Sequence, residues 1–301
     1  MSFSCKKQDI TPAFLILSAE DFIDCIDVSD FNSTNPGSII YDTKHLEAIK
    51  QQSFKDVLVS LNGTELGYWT LPCTIPLMPN YGGLNRIRII PCVRTPNTTI
   101  TTLPYYFVKA YTDSLEMTRT TEYTISNIKF KYDPTVDFPL LDIFDDFTEF
   151  QARDTLISAI TLETGWYDEG LKKNIGRLIL KGSDNFFDIE NTKSITLHGH
   201  GERQFWEISY KTINGQMTTH LSFENTVTGV TNQDMMVLPS TQGVWKKVYI
   251  DITDIIRQAS YTAPTISVRL RITGLRNNPN IGDSEFYFEN IKLITMDAPY
   301  Y

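Results

Sequence analysis

Histidine, cysteine and basic charge are all scarce in this chain, and long apolar runs are missing. The 301 residues include four histidines and four cysteines. Catalysis that depends on an imidazole therefore has few places to sit, and no nucleophile elbow, P-loop, dinucleotide fingerprint or H-E-x-x-H motif occurs. The cysteines stand at 5, 25, 73 and 92 with no C-x-x-C pair, which excludes a zinc ribbon and a thioredoxin motif. Cys73 and Cys92 fall on neighbouring expected strands, either as a disulfide or as two small buried apolar residues. Acidic residues outnumber basic ones by 36 to 27, for a net charge of −9. Such a balance lacks the basic stripe that displaces counterions from nucleic acid, and it disfavours docking on an anionic membrane. No stretch approaches the roughly 18 apolar residues of a membrane-spanning helix. The apolar run Ala13–Leu17 suits a strand, and the residues before it are too few for a signal peptide as written.

What is abundant is β-forming material. There are 17 Phe and 15 Tyr, and threonine recurs throughout. Aromatic and β-branched side chains fit a pleated, half-buried surface. Strands are expected over 54–61, 65–71, 84–92, 122–132, 207–213, 216–223, 245–250, 265–273 and 284–294, the last with a change of phase at Glu289-Asn290. Asn62-Gly63 and Asn214-Gly215 each separate two such runs, the pattern of a tight hairpin whose turn residues need positive φ. Helix is expected only over 44–52, with Thr43 as a possible N-cap, and over 252–259. Strands without alternating helices argue against parallel βαβ units and for antiparallel sandwiches. Asp133-Pro134-Thr135-Val136-Asp137-Phe138-Pro139 reads as an extended connection. The expected organisation is a segment at 1–8, a β-sandwich domain at 9–134 and a second sandwich at 140–297: an all-β chain of two antiparallel domains.

Candidate chemistry is sparse. His198 and His200 would share a face of a strand and converge on a metal with His220, or sit exposed beside Gly199 and Gly201. Asp145, Asp146 and Glu149, and Asp283 with Glu285, are read first as solvated loop charges, second as ligands of a structural Ca²⁺, third as a hydrolase pair. Trp166-Tyr167 and Phe205-Trp206 offer aromatic rings for stacking on sugars, one of each pair being core because neighbours on a strand face opposite sides. Trp245, opening an apolar strand, is read as core. Tyr105, Tyr106 and Phe107, with Tyr300 and Tyr301, are candidate interface anchors.

Gly243-Val244-Trp245-Lys246-Lys247-Val248-Tyr249-Ile250-Asp251 and Glu285-Phe286-Tyr287-Phe288-Glu289-Asn290-Ile291-Lys292-Leu293 resemble the closing strands of galactose-binding-like jelly rolls, with Glu289 where Asp is usual. This resemblance covers about residues 140 to 296 and implies a jelly roll. Ile10-Thr11-Pro12-Ala13-Phe14, Phe54 to Gly63, Leu71-Pro72, Ile75-Pro76, Ile89-Ile90-Pro91 and Leu103-Pro104-Tyr105-Tyr106 resemble a domain of Bacteroidota envelope lipoproteins. Cys92 replaces a glycine of that pattern. The pairing of the two domains is also similar to the plug-like component of the type IX secretion translocon. The resemblance implies that Cys5, in Ser4-Cys5-Lys6-Lys7, carries a lipid, so that the chain is anchored to the outer membrane and not inserted in it.

The reading that follows is a non-enzymatic interaction protein of the cell envelope, docking on or plugging an outer-membrane type IX secretion channel. The alternative is glycan binding through the jelly roll. No nucleic-acid partner and no cofactor are expected, a structural Ca²⁺ excepted.

Overall fold

A computed structural model describes residues 11–34, 40–96, 100–153, 162–199, 202–225, 229–260, 265–278 and 280–297. The chain divides into two compact units. One holds residues 1–31, 50–93 and 102–133; the other holds 32–49, 94–101 and 134–301. The expected all-β sandwich architecture is what forms.

The first unit is built from β1 (Ala13–Leu17), β2 (Ile26–Asp27), β3 (Asp56–Leu61), β4 (Thr64–Thr70), β5 (Cys73–Leu77), β6 (Leu84–Pro96) up to Val93, β7 (Ile100–Pro104) from Thr102, β8 (Tyr111–Glu116), β9 (Glu122–Thr124) and β10 (Phe130–Lys131). β4-β3-β6-β7 form one sheet with β8 against β6, β5-β1-β9 form a second, and β10 lies beside β2. β1 with β9 and β2 with β10 are parallel pairs. The single strand expected over 122–132 is two short ones, because Asn127 takes a left-handed φ of 56° between them. Asn62 and Gly63 both have positive φ, 51° and 84°, and make the expected hairpin turn between β3 and β4. Cys25, Cys73 and Cys92 are free thiols, and burial pushes Cys25 and Cys92 up to about 12.

The second unit is a sandwich of two six-stranded sheets. Its strands are β11 (Val136–Asp142), β12 (Phe150–Ala152), β13 (Glu163–Asp168), β14 (Lys173–Leu180), β15 (Phe186–Asn191), β16 (Ile195–His198), β17 (Glu202–Ile213), β18 (Gly215–Asn225), β19 (Gly229–Leu238), β20 (Lys246–Asp251), β21 (Thr265–Arg276) and β22 (Ser284–Asp297). The first sheet runs β13-β14-β22-β17-β20 with β11 on β22; the second runs β12-β15-β21-β18-β19 with β16 on β21. Alternation along β22 sends Phe286 and Phe288 into the core and Tyr287 to the other face. A bulge opposite Ser209-Tyr210 then resets the phase, so that Ile291 and Leu293 return to the core. This is the phase change legible at Glu289-Asn290.

Asn214-Gly215 is not the expected hairpin. β17 and β18 lie in different sheets, so the pair forms the crossing between them. Only Asn214 has positive φ, 53°. Its side chain donates to the carbonyls of Asn278 and Gly282, at 2.9 and 3.1 Å, and fixes the crossing. Gly215 is required for space: a Cβ there would lie 2.3 Å from Phe286 Cζ.

Three helical segments accompany the strands among the described residues longer than a single 3₁₀ turn: α1 (Phe31–Thr34), α2 (Thr43–Lys50) and α3 (Thr253–Ala259). α2 starts under Asp42 and not Thr43, since Asp42 Oδ1 accepts from the His45 backbone N–H at 2.9 Å. It covers part of the outer face of the first sheet of this unit, where Lys292 Nζ donates to the Ala48 carbonyl at 3.1 Å.

Candidate functional site

The outer face of that sheet carries an aromatic and basic row across its strands. Arg177 on β14, Tyr287 on β22 and Lys211 on β17 are directly opposed in register, so all three point to one side. Trp166 flanks the row on β13 and Trp245 flanks it just before β20. The Arg177 guanidinium lies 4.7 Å from the centroid of the Trp166 ring, and the Trp166 and Tyr287 rings are 5.6 Å apart. Lys211 Nζ sits 4.6 Å from the Tyr287 centroid and 4.8 Å from that of Trp245. The side chains are thus packed against one another as a continuous polar-aromatic surface.

Exposure differs along the row. Trp166 is 38% exposed and Trp245 half-buried, whereas Tyr287 is only 5% exposed, with Lys211 over its ring. Lys211 is neutralised by Asp168, at 2.9 Å, and Lys211 together with the Leu171 and Gly170 amides holds Asp168 below the usual carboxylate range against its partial burial. Lys173 pairs with Glu289. The Tyr287 hydroxyl donates to Glu285. Arg177 makes no ion pair among the described residues, and its Nε is buried without a hydrogen-bond partner. Beside the row, a cavity of about 380 Å³ lined by Lys44, Glu47, Tyr167, Lys173, Asn174 and Glu289 separates α2 from the sheet edge.

Of the aromatic residues singled out in the sequence, Trp166 is where a ligand-binding ring should be. Trp206 is not: it is fully buried on β17 in the sandwich core, on the inward phase of that strand with Ile208. Trp245, expected in the core, is half-buried at the end of the row. In the first unit, Tyr105 and Phe107 are buried at 0% and 1%, their rings 5.1 Å apart, and Gln52 donates to the Tyr105 hydroxyl at 3.0 Å. These two are core side chains and not interface anchors. Tyr106, between them, is 37% exposed. Cys5, Tyr300, Tyr301 and His200 lie outside the described residues. Arg177, Lys211 and Tyr287 were not legible as a set, because their register depends on pairing across strands more than 70 residues apart in the chain.

Several of the acidic and histidine candidates are absorbed locally. His220 Nδ1 meets Asp234 at 2.7 Å and its Nε2 meets Thr273 at 2.8 Å, while His198 is exposed. Asp142 accepts from the Phe144 and Glu149 amides and from Thr148 Oγ1, at 3.0, 2.8 and 2.7 Å. Burial nonetheless pushes it up to about 6. Asp145 pairs with Lys44, which holds it below the usual carboxylate range, and it accepts from Asn174 at 2.6 Å. Among the described residues no group of three or more His, Cys, Asp or Glu is placed to hold a metal ion.

No protein-family model matches the sequence, and no curated protein does. Among solved structures, the chain is similar to the family 22 carbohydrate-binding and family 10 hydrolase modules of a Clostridium thermocellum xylanase, complexed with xylohexaose. The identity is 14%, the TM-score 0.38, and the match covers 55% of this chain and 29% of that one. It is similar to a xylan-binding family 22 module of Paenibacillus barcinonensis at 8% identity and TM-score 0.37, over 55% of this chain and 97% of that one. A family 30 carbohydrate-binding module of C. thermocellum gives 15% and 0.33, over 52% and 96%. Likenesses of this size carry no argument about ligand.

Proposed function

We propose that the second unit is a non-catalytic glycan-binding module whose ligand lies across the Trp166–Arg177–Tyr287–Lys211–Trp245 row. The observation that carries this reading is the row itself. Sugar rings offer an apolar C–H face and a rim of hydroxyls. Two accessible indoles supply the stacking surface, and cationic N–H donors between them supply hydrogen bonds. The row sits on a regular sheet, whose register holds the rings without an ordering cost at binding. The competing reading, docking on a secretion channel, is left with Tyr106 alone of its three central aromatic anchors. An envelope address through acylation of Cys5 remains part of the proposal, tested by metabolic labelling with an alkyne fatty acid before and after Cys5→Ala.

Affinity electrophoresis of the full chain against a panel of soluble polysaccharides tests the binding reading. At least one polysaccharide should retard the protein, and Trp166→Ala or Trp245→Ala should each weaken retardation about tenfold or more, the scale of a lost stacking contact. Retention that ignores both substitutions sinks the proposal, as does hydrolysis of the retained polysaccharide for its non-catalytic part.

A further inference from the structure

We infer that the ligand of this row is an acidic glycan, one carrying a carboxylate or sulfate group that Arg177 receives; the inference rests on the glycan-binding reading above. The cations of the outer face are not equivalent. Lys211 has Asp168 at 2.9 Å and Lys173 has Glu289. Arg177 alone in the row has no carboxylate partner among the described residues; its Nε–H is unpaired but shielded from solvent, which leaves the terminal N–H groups as the donors a ligand would meet. The guanidinium lies over Trp166, 4.7 Å from the ring centroid. A guanidinium held in this way presents a rigid fork of donors, which matches the two oxygens of a carboxylate or sulfate group better than a single hydroxyl.

The surrounding acids do not remove this opening. Glu285 accepts from the Tyr287 hydroxyl. Glu163 stands opposite Arg177 in register, but a bulge between Glu163 and Trp166 displaces the strand there, and the two side chains form no ion pair. Glu163 is exposed, so an arriving anion competes only with a solvated carboxylate. The position of Arg177, between the Trp166 ring and Tyr287, puts the anion on a sugar seated inside the row.

Isothermal titration of the full chain with polygalacturonate, its fully methyl-esterified form, dextran sulfate and dextran tests this directly. The wild type should bind an acidic polymer about tenfold or more tighter than its neutral counterpart, the preference should shrink as salt is raised, and Arg177→Gln should abolish it. Preference for polygalacturonate assigns the anion as a carboxylate, and preference for dextran sulfate as a sulfate. Arg177→Lys, which keeps the charge without the fork, should retain only part of the preference, with a thermal melt confirming that both variants fold. Equal binding of acidic and neutral polymers, or a preference that survives Arg177→Gln, overturns the inference alone, provided that binding still depends on Trp245. Binding that ignores Trp245→Ala, or no binding to any polymer, overturns the platform reading and the inference with it.

Discussion

Gly215 and Phe286 occupy one space: a Cβ on Gly215 would come within 2.3 Å of the Phe286 ring, which is fully buried between the sheets. Gly274 stands in the same relation to Phe187, at 1.9 Å, and the Phe187 and Phe286 rings meet edge-on at 4.9 Å. Two glycines on different strands thus make room for one aromatic pair at the middle of the sandwich. Gly215→Ala should cost about 1–3 kcal/mol, the range for overpacking a core. Pairing it with Phe286→Leu should recover part of that loss. Gly63→Ala, where φ is 84° but nothing lies near, should cost less, about 1 kcal/mol of backbone strain. Urea unfolding measures all four proteins, and a Gly215→Ala no worse than Gly63→Ala would mean that the packing account is wrong.

Tyr105 and Tyr106 are neighbours with opposite fates. Tyr105 is buried against Phe54 and Phe107, at 5.3 and 5.1 Å between ring centroids, whereas Tyr106 faces solvent. Tyr105→Ala should destabilise by about 3–5 kcal/mol, as large aromatic truncations do. Tyr106→Ala, at a half-exposed position, should cost markedly less. Trp206→Ala should likewise cost more than Trp166→Ala, whose ring is part-exposed and packs on Arg177 and Tyr287. Thermal unfolding of the four variants decides it; similar melting temperatures within either pair would contradict the burial pattern.

The contrast marks how far the sequence could be read. Strand identity and the β22 phase slip were legible because a period of two survives in Phe286, Phe288, Ile291 and Leu293. The helix start was placed one residue late, since Asp42 and Thr43 are both good caps and only geometry separates them. Which member of an aromatic pair faces inward was not legible, because strand alternation fixes opposition and not its sense. Asn214-Gly215 was misread for a related reason: local turn chemistry cannot tell a hairpin from a crossing between sheets. The row on the outer face needs the full strand order, and no local pattern encodes that order.

Asp142 makes stability depend on pH. Its folded-state pKa is raised by burial from 3.8 to about 6, so the folded chain binds the proton more tightly than the unfolded one. The contribution is complete below about pH 4 and is lost as pH rises through about 6. Asp142→Asn lacks this dependence. The stability of the wild type relative to the variant should therefore fall between pH 4 and pH 7, by up to about 3 kcal/mol for a shift of this size. Urea unfolding of both proteins across that window provides the difference, in which other groups cancel. A difference that stays constant would remove Asp142 from the account.

The buried triad beneath α2 gives the sharpest test of electrostatics in the fold. Glu207 Oε2 lies 3.1 Å from both Lys292 Nζ and Lys247 Nζ, and Glu207 and Lys292 are wholly shielded from solvent. One carboxylate thus serves two ammonium groups, and burial pulls Lys292 below its ordinary value although Glu207 opposes this. Glu207→Gln removes the negative charge that both ammonium groups share and should cost about 3–5 kcal/mol at neutral pH, the range for breaking a buried ion pair from one side. Replacing Glu207 and Lys292 together, by Leu and Met, removes the two fully shielded charges and leaves only Lys247, whose side chain still reaches solvent, without this carboxylate. That double variant should lie within about 2 kcal/mol of the wild type, since apolar replacements of buried ion pairs are often neutral. The pH dependence has a definite sign. With the folded pKa of Lys292 below the unfolded one, the unfolded chain holds more protons, so stability from this group rises with pH until Lys292 is neutral in both states. The deficit of Glu207→Gln should accordingly shrink as the solution is taken from neutral to alkaline pH. Urea unfolding of the single and double variants at two pH values reads both effects. Equal losses in the two variants, or a deficit that widens on raising the pH, would show that Glu207 acts there through packing and not through charge.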